Sequence, residues 1–206
     1  MIMIPLTDYA KIKNNYCLAY LGNSHEYLVQ LRLLKPVLQR WFPQLNICLC
    51  SKDDCFQHIM AVENSIKFSQ LREQKSSFAH VKEITFNGKI HPILEFLEES
   101  GVKDYAISTQ TNSEHSNLCA IISKGNYPTK NLLQTQIQEL HRMATGKGFE
   151  VQVDGNWEQA GMVMGVESVG LFEAAALGIQ TMLVPTGCGE QLFKNMFKDS
   201  VVLDHI

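Results

Sequence analysis

The stretch GMVMGVESVGLFEAAALGIQTMLVP, residues 161–185, decides the fold of this chain. Its first apolar run leads into Ser168, a good N-cap residue, and the helix predicted after it stops at Gly178, a good C-cap residue before the next apolar run. The order predicts a buried strand, a helix and a second buried strand. Strands that are apolar along their whole length are typical of parallel sheets covered on both faces.

The same alternation of short apolar runs and amphipathic segments continues in both directions along the chain. It predicts an α/β fold with two small Rossmann-like units, each with a parallel sheet. The turn formers QTNSEHS after Thr109 place the boundary near Asn112, which gives units 1–112 and 113–206. The predicted strands are 16–22, 45–51, 81–86, 104–109, 117–124, 149–153, 161–167, 181–185 and 201–204, and the predicted helices are 24–42, 65–77, 91–101, 130–146, 168–177 and 189–197.

Composition excludes several classes of protein. The 206 residues are 45% hydrophobic and 19% charged, with a formal net charge of -3 and scattered Lys and Arg, so nucleic acid is not expected as a partner. Pro5, Asp8 and Lys11 interrupt any signal-peptide core, and Glu167, Glu173 and Pro185 interrupt the longest apolar segment. We expect a cytoplasmic protein without a transmembrane segment, with its six cysteines reduced and without a metal site. Its oligomeric state is not readable.

The segment after the strand ending at Glu167 is the first place for chemistry. Free N–H groups at a helix start near Ser168 would face outward from the carboxyl edge of the sheet, where they and the helix dipole bind phosphate. Gly170 permits close approach of a ligand to the backbone. Glu173, one turn into the helix, is suited to the paired hydroxyls of a ribose, although a solvated helix position explains it equally well.

The pattern GVESVGLFEAAALGIQTMLVP followed by GEQLFKNMF resembles the C-terminal domain of glycosyltransferases of GT-B type. It is most similar to that domain in the muropeptide N-acetylglucosaminyl transferase and in the UDP-sugar hydrolase of pseudaminic acid synthesis. The resemblance implies a compact GT-B-like arrangement, with a nucleotide-sugar side at 113–206 and an acceptor side at 1–112. It also implies that Ser168, Val169 and Gly170 hold the donor diphosphate, that Glu173 binds ribose, and that Glu190 and Gln191 contact the donor sugar.

The sequence departs from that pattern where the family usually carries paired glycines. Glu167 and Val169 occupy neighbouring places, and a carboxylate beside a diphosphate is repulsive. The resemblance covers the last third of the chain well, and the stretch 117–158 only in its rhythm of strands and helices. These departures favour a protein that kept the fold without the activity.

Gly22, Asn23, Ser24 and His25 follow the first predicted strand, and they resemble the acceptor-side loop of the same enzymes. His25 would be the general base toward an acceptor hydroxyl, because an imidazole titrates near working pH. The alternative is that Ser24 caps the next helix, with His25 and Glu26 as ordinary first-turn residues.

The loop SKGNYPTK, 123–130, follows the first strand of the second unit. Its Lys124, Thr129 and Lys130 are candidates for phosphate contacts, although a surface loop is an equally good interpretation because P-loop spacing is absent. We expect surface or capping positions for four histidines outside any ligand spacing: His91, His115, His141 and His205.

Together these patterns predict a protein that binds a nucleotide-activated sugar, UDP-linked by resemblance, and transfers the sugar to an unknown acceptor without a metal or other cofactor. One alternative is a non-catalytic module for nucleotides or sugar phosphates. Another is a sugar-nucleotide epimerase or hydrolase on the same scaffold. The sequence identifies neither the donor sugar nor the acceptor.

Overall fold

The computed structural model of the chain describes residues 15–86, 90–109, 116–125, 130–186 and 188–203. The chain divides into two compact units, Met1–Tyr105 and Ala106–Ile206. The boundary predicted near Asn112 lies outside the described residues, as does most of the turn-forming segment around it.

The N-terminal unit contains a parallel sheet whose described strands follow the order β3-β2-β1-β4. Its strands are β1 Asn15–Tyr20, β2 Asn46–Ser51, β3 Ser65–Lys67 and β4 His80–Ile84. Its α-helices are α1 His25–Trp41, α2 Phe68–Gln74 and α3 Pro92–Glu99, with 3₁₀ helices at Asp53–His58 and Lys75–Ser77.

Two predictions for this unit are wrong. Residues 104–109 form no strand, and the fourth strand of the sheet is the short β3 inside the region predicted as a helix. The strand has three half-buried residues, Ser65 to Lys67, which are too few to show a hydrophobic periodicity. The sequence therefore gives no signal for this strand. The 104–109 segment has strand-like composition, but the Asp104 carbonyl accepts from the Trp41 indole at 2.7 Å instead of joining a ladder.

The apolar face of α1 packs into the core. Leu28, Leu31, Leu34 and Leu38 are almost fully buried at helical spacing. At the C-terminal end of α1, Phe42 is buried and Trp41 is 43% exposed. The helix ends before Pro43, as predicted.

The C-terminal unit contains a second parallel sheet, with described strands in the order β6-β5-β7-β8-β9. The predicted order of strands and helices is confirmed in the described part of this unit. Its strands are β5 Leu118–Ile122, β6 Glu150–Val153, β7 Met162–Val166, β8 Gln180–Val184 and β9 Val201–Val202, and its helices are α4 Gln134–Gly146, α5 Val169–Ala176 and α6 Glu190–Met196.

The deciding stretch folds as predicted because its signals are local. Helix α5 begins one residue after Ser168, whose hydroxyl accepts a hydrogen bond from the Leu171 N–H at 3.3 Å. The helix stops where Gly178 takes a φ of +78°, which a glycine adopts without steric cost. Glu167 and the start of α5 therefore lie at the carboxyl edge of this sheet, meaning the edge where its parallel strands end.

The connection from β6 to β7, residues 154–161, contains no helix. A parallel crossover usually carries one that covers the sheet. The half-buried Trp157 of this connection lies against Gly170. Among the described helices of the whole chain, none is long and apolar enough to cross a membrane.

Candidate functional site

The N-terminal end of α5 has the geometry of an anion-binding helix start. Ser168 is buried and caps the helix with its hydroxyl, whereas Val169 and Gly170 are half-buried. The first-turn N–H groups of a helix carry partial positive charge and bind anions. Diphosphate binding by Ser168, Val169 and Gly170 stays a prediction, but the helix end that it requires is present.

Glu167, directly before this helix, is compensated by a cation. Its carboxylate is 1% exposed, and Oε2 lies 3.0 Å from Nζ of Lys130, whose side chain is also largely buried. In a buried pair of this kind the ammonium offsets the charge that would otherwise repel an anion. The objection that Glu167 raises against a phosphate site is therefore weaker in the folded chain than in the sequence.

The other carboxylate oxygen of Glu167 is fixed by packing. A Cβ on Gly189 would overlap Oε1, so glycine is the residue that leaves room for the carboxylate. Within the described part of the chain, Oε1 has no hydrogen-bond partner. A buried carboxylate oxygen without a donor is costly, and the position is suited to a donor group from a ligand.

Gly170 has a structural role besides the predicted one. A Cβ at this position would lie 2.8 Å from Nε1 of Trp157 and 3.1 Å from Cδ1 of Ile122. The 2.8 Å distance is shorter than a Cβ atom tolerates, so the position of the indole requires a glycine here. Close approach of a phosphate to the same backbone stays a prediction.

The remaining residues predicted on the donor side lie on α5 and α6. Glu173 is half-buried on α5. Glu190 forms a surface ion pair with Lys194 at 2.7 Å, one turn further along α6, and Gln191 is exposed. Their contacts with ribose and sugar stay predictions, and the ion pair is an ordinary i,i+4 surface contact.

Asp154 lies at the carboxyl edge of the C-terminal sheet, directly after β6, and the sequence analysis did not predict it as a site residue. Its carboxylate accepts hydrogen bonds from the Ser123 N–H at 2.8 Å and the Ser123 hydroxyl at 2.7 Å, and it lies 3.5 Å from Nζ of Lys124. Burial acts to raise the pKa of the Asp154 carboxyl, but the Ser123 hydrogen bonds and the Lys124 ammonium outweigh it, so the pKa lies below its ordinary value. Thr129, the third residue offered for phosphate, lies outside the described residues.

The loop predicted on the acceptor side lies at the carboxyl edge of the N-terminal sheet. A Cβ on Gly22 would overlap the Tyr20 ring, so this turn requires a glycine. The Asn23 carboxamide oxygen accepts from Nζ of Lys52 at 2.5 Å, and the Ser24 N–H donates to the Tyr20 hydroxyl at 3.2 Å. Ser24 is the N-cap residue of α1, but its hydroxyl makes no capping hydrogen bond.

His25 is the first residue of α1 and is exposed. Its ring stacks on His58, with centroids 4.2 Å apart. No hydrogen bond to the His25 ring is found among the described residues. A general base is usually oriented by a second group, so the surroundings of His25 give this prediction no further support.

A buried polar cluster lies beside His25 and was also missed. Glu26, Gln30 and His91 are each 1% exposed or less. Nε2 of Gln30 donates to Oε1 of Glu26 at 3.3 Å, and a carboxylate oxygen of Glu26 lies within 4.8 Å of a ring nitrogen of His91. A sequence signal existed, because Glu26 and Gln30 continue the four-residue spacing of the buried Leu34 and Leu38.

Of the surface and capping positions expected for His91, the structure shows the N-cap position of α3, but the side chain is buried. It makes no capping hydrogen bond. His141 is exposed on α4, as expected, and His115 and His205 lie outside the described residues. The six cysteines are free thiols, all buried except Cys188.

A cavity of about 570 Å³ opens at the opposite, amino edge of the N-terminal unit. Two cationic side chains line it, and both donate hydrogen bonds to backbone carbonyls. Arg32 donates to the His58 carbonyl at 3.3 Å, and Lys35 donates to the Glu63 carbonyl. These contacts anchor the loop before β3 onto α1. The cations thus have a structural role here.

Comparison with known proteins shows the fold. No protein-family model matches the sequence, and no curated protein matches it. The solved structures that are similar at low identity include three glycosyltransferases. These three are the iron-containing dodecameric glycosyltransferase TibC from enterotoxigenic E. coli H10407 (12% identity, TM-score 0.54), a family 9 glycosyl transferase from Veillonella parvula DSM 2008 (8%, 0.53) and the E. coli heptosyltransferase WaaC with ADP (12%, 0.51).

The alignments cover 84%, 92% and 91% of this chain. The chain spans 58% of the length of TibC, 85% of the Veillonella protein and 92% of WaaC. The fold is therefore that of GT-B-like glycosyltransferases, an α/β fold with two parallel sheets, as predicted. The finer resemblance to the muropeptide transferase and the pseudaminic acid hydrolase stays a prediction.

Proposed function

We propose that this chain binds a nucleotide-activated sugar at the carboxyl edge of its C-terminal sheet and transfers the sugar to an acceptor without a bound metal. The observation that carries the proposal is the buried Lys130–Glu167 pair directly beside the capped start of α5. It joins a fixed cation to a helix N-terminus at the edge where ligands of parallel α/β sheets bind. The fold shared with glycosyltransferases agrees with it.

In this proposal the leaving diphosphate is stabilised by protein charges. The N–H groups of Val169 and Gly170 carry partial positive charge where negative charge develops as the sugar leaves, and the Lys130 ammonium cancels the charge of Glu167 beside them. Lys124 adds a second, largely exposed cation. Glu173 binds the ribose, and Glu190 and Gln191 contact the sugar. Gly22, Asn23, Ser24 and His25 form the acceptor side, and the donor is UDP-linked.

A non-catalytic nucleotide-binding module is the second candidate, and two observations favour it. Glu167 keeps a carboxylate at the phosphate position, and the Trp157 indole already packs against Gly170. Both features narrow the space for a diphosphate. Binding of a nucleotide is common to both candidates, so turnover distinguishes them.

Nucleotide binding is the first test. UDP, GDP, CDP, dTDP and ADP at millimolar concentration are added in turn, and the melting temperature is measured. A nucleotide that binds the native state raises it by mass action. We expect Glu173→Ala to weaken nucleotide binding about 10-fold to 100-fold, because the ribose loses a charged hydrogen-bond partner.

The matched control is Glu139→Ala, which removes an exposed carboxylate paired with Arg142 on the surface of α4. This variant should bind the nucleotide like the unmodified chain. Absence of a shift with all five nucleotides would contradict the donor site and leave the fold unaffected. Equal weakening by both variants would contradict the role of Glu173.

A further inference from the structure

The buried cluster of the N-terminal unit lies where two neighbouring strands end. Strands β1 and β4 pair in parallel, and their last paired residues are Tyr20 and Ile84. Glu26 lies in the first turn of α1, which follows β1, and His91 directly precedes α3, which follows β4. Both side chains therefore belong to the carboxyl edge of the sheet, the edge that binds ligands in this class of fold.

The chemistry of the cluster is that of a carboxylate beside an imidazole. A carboxylate oxygen of Glu26 lies within 4.8 Å of a ring nitrogen of His91, and both side chains are 1% exposed. Burial makes a lone carboxylate costly and strengthens its attraction to an imidazolium.

Two further contacts fix the geometry of the pair. Gln30, one turn along α1, donates to Glu26 at 3.3 Å. The Tyr27 ring meets the His91 ring edge-on, with centroids 4.8 Å apart. The imidazole is thus packed on one side and faces a carboxylate on another, as a positioned proton acceptor requires. Among the described residues, the exposed His25 ring stacks on His58 and has no hydrogen bond.

We infer that His91 is the general base of the N-terminal unit and that Glu26 is its positioning residue. The inference rests on the proposed function. In the transfer step the acceptor O–H bond breaks and its proton passes to a ring nitrogen of His91. The acceptor oxygen bonds to the anomeric carbon, and the bond from that carbon to phosphate breaks, with the electron pair leaving on the nucleoside diphosphate. Glu26 stabilises the imidazolium.

The test measures release of nucleoside diphosphate from sugar conjugates of the nucleotide that binds, with water as the acceptor. We expect His91→Ala to lower kcat by about 10²-fold to 10⁴-fold, the usual contribution of a general base, with KM for the donor unchanged. Added imidazole should restore part of kcat, which a purely structural role of His91 would not allow. Glu26→Gln should lower kcat less than His91→Ala does.

His141→Gln, on the exposed face of α4, is the matched control and should leave kcat unchanged. A folded His91→Ala variant that keeps kcat within threefold, or that imidazole does not rescue, would overturn the inference. So would a loss of kcat in His25→Gln with none in His91→Ala. If the unmodified chain binds the nucleotide but releases no nucleoside diphosphate from its sugar conjugates, it is a passive binder. That result would also overturn the role of His91 as general base. Absence of nucleotide binding is the separate failure of the proposed function.

Discussion

The two units each bury a carboxylate at the carboxyl edge of their sheets, but different groups lie beside the two. Among the described residues, Glu167 of the C-terminal unit faces the Lys130 ammonium at 3.0 Å. Glu26 of the N-terminal unit faces an amide from Gln30 and the imidazole of His91. An ammonium keeps its charge at neutral pH, whereas an imidazole gains or loses a proton there. The C-terminal edge thus holds an ion pair, whereas the N-terminal edge holds a carboxylate beside an imidazole ring.

The largest loss of stability is expected when the ion pair of the C-terminal unit is removed. Lys130→Met leaves the buried Glu167 without its cation. We expect the free energy of unfolding to fall by about 3–5 kcal/mol, the usual cost of removing one partner of a buried ion pair. Urea unfolding followed by Trp157 fluorescence, in a Trp41→Phe background, reports on this unit alone because each unit holds one of the two tryptophans.

Lys194→Met is the matched control for that prediction. Lys194 pairs with Glu190 at 2.7 Å, but both side chains are more than one-third exposed, so the loss should stay below about 0.5 kcal/mol. A loss below about 1 kcal/mol for Lys130→Met would show that Glu167 does not depend on Lys130 for its compensation.

A smaller and pH-dependent effect is expected at Asp154, on the same edge. Asp154→Asn removes the charge that accepts from Ser123, and asparagine tolerates the positive φ of +51°. We expect a loss of about 1 kcal/mol at pH 7, discounted because the carboxylate is about one-third exposed.

The sign of the pH dependence follows from the lowered pKa of Asp154. A carboxyl whose folded pKa is depressed stabilises the fold above its unfolded pKa, and this stabilisation is lost as the pH falls through the folded pKa. The difference between the unmodified chain and Asp154→Asn should therefore shrink below about pH 4. Urea unfolding at pH 7 and pH 3 checks this, and an equal difference at both values would contradict it.

The smallest effect is expected for Glu26→Gln in the N-terminal unit. The new amide oxygen still accepts from Gln30, and the substitution removes a buried charge without leaving an opposite charge unpaired. We expect a loss within about 1 kcal/mol at pH 8. Trp41 fluorescence in a Trp157→Phe background measures it. A loss comparable to that of Lys130→Met would show that the two edges are compensated alike.

Local signals predicted most of the fold. The strand, helix and strand around Ser168, the stop at Gly178 and the apolar face of α1 were all readable, because capping and periodicity depend on residues a few positions apart. The short β3 and the 104–109 segment were misread, because whether a short stretch pairs as a strand depends on which neighbour reaches it.

The sequence by itself determined the α/β class, the parallel order of strands and helices, and the helix start at Ser168. The tertiary structure decided which charges meet. Lys130 and Glu167 lie 37 residues apart, Ser123 and Asp154 lie 31 apart, and Glu26 and His91 come from different helices. Such pairs form where parallel strands bring their ends to one edge, and no local pattern records which two loops will lie side by side.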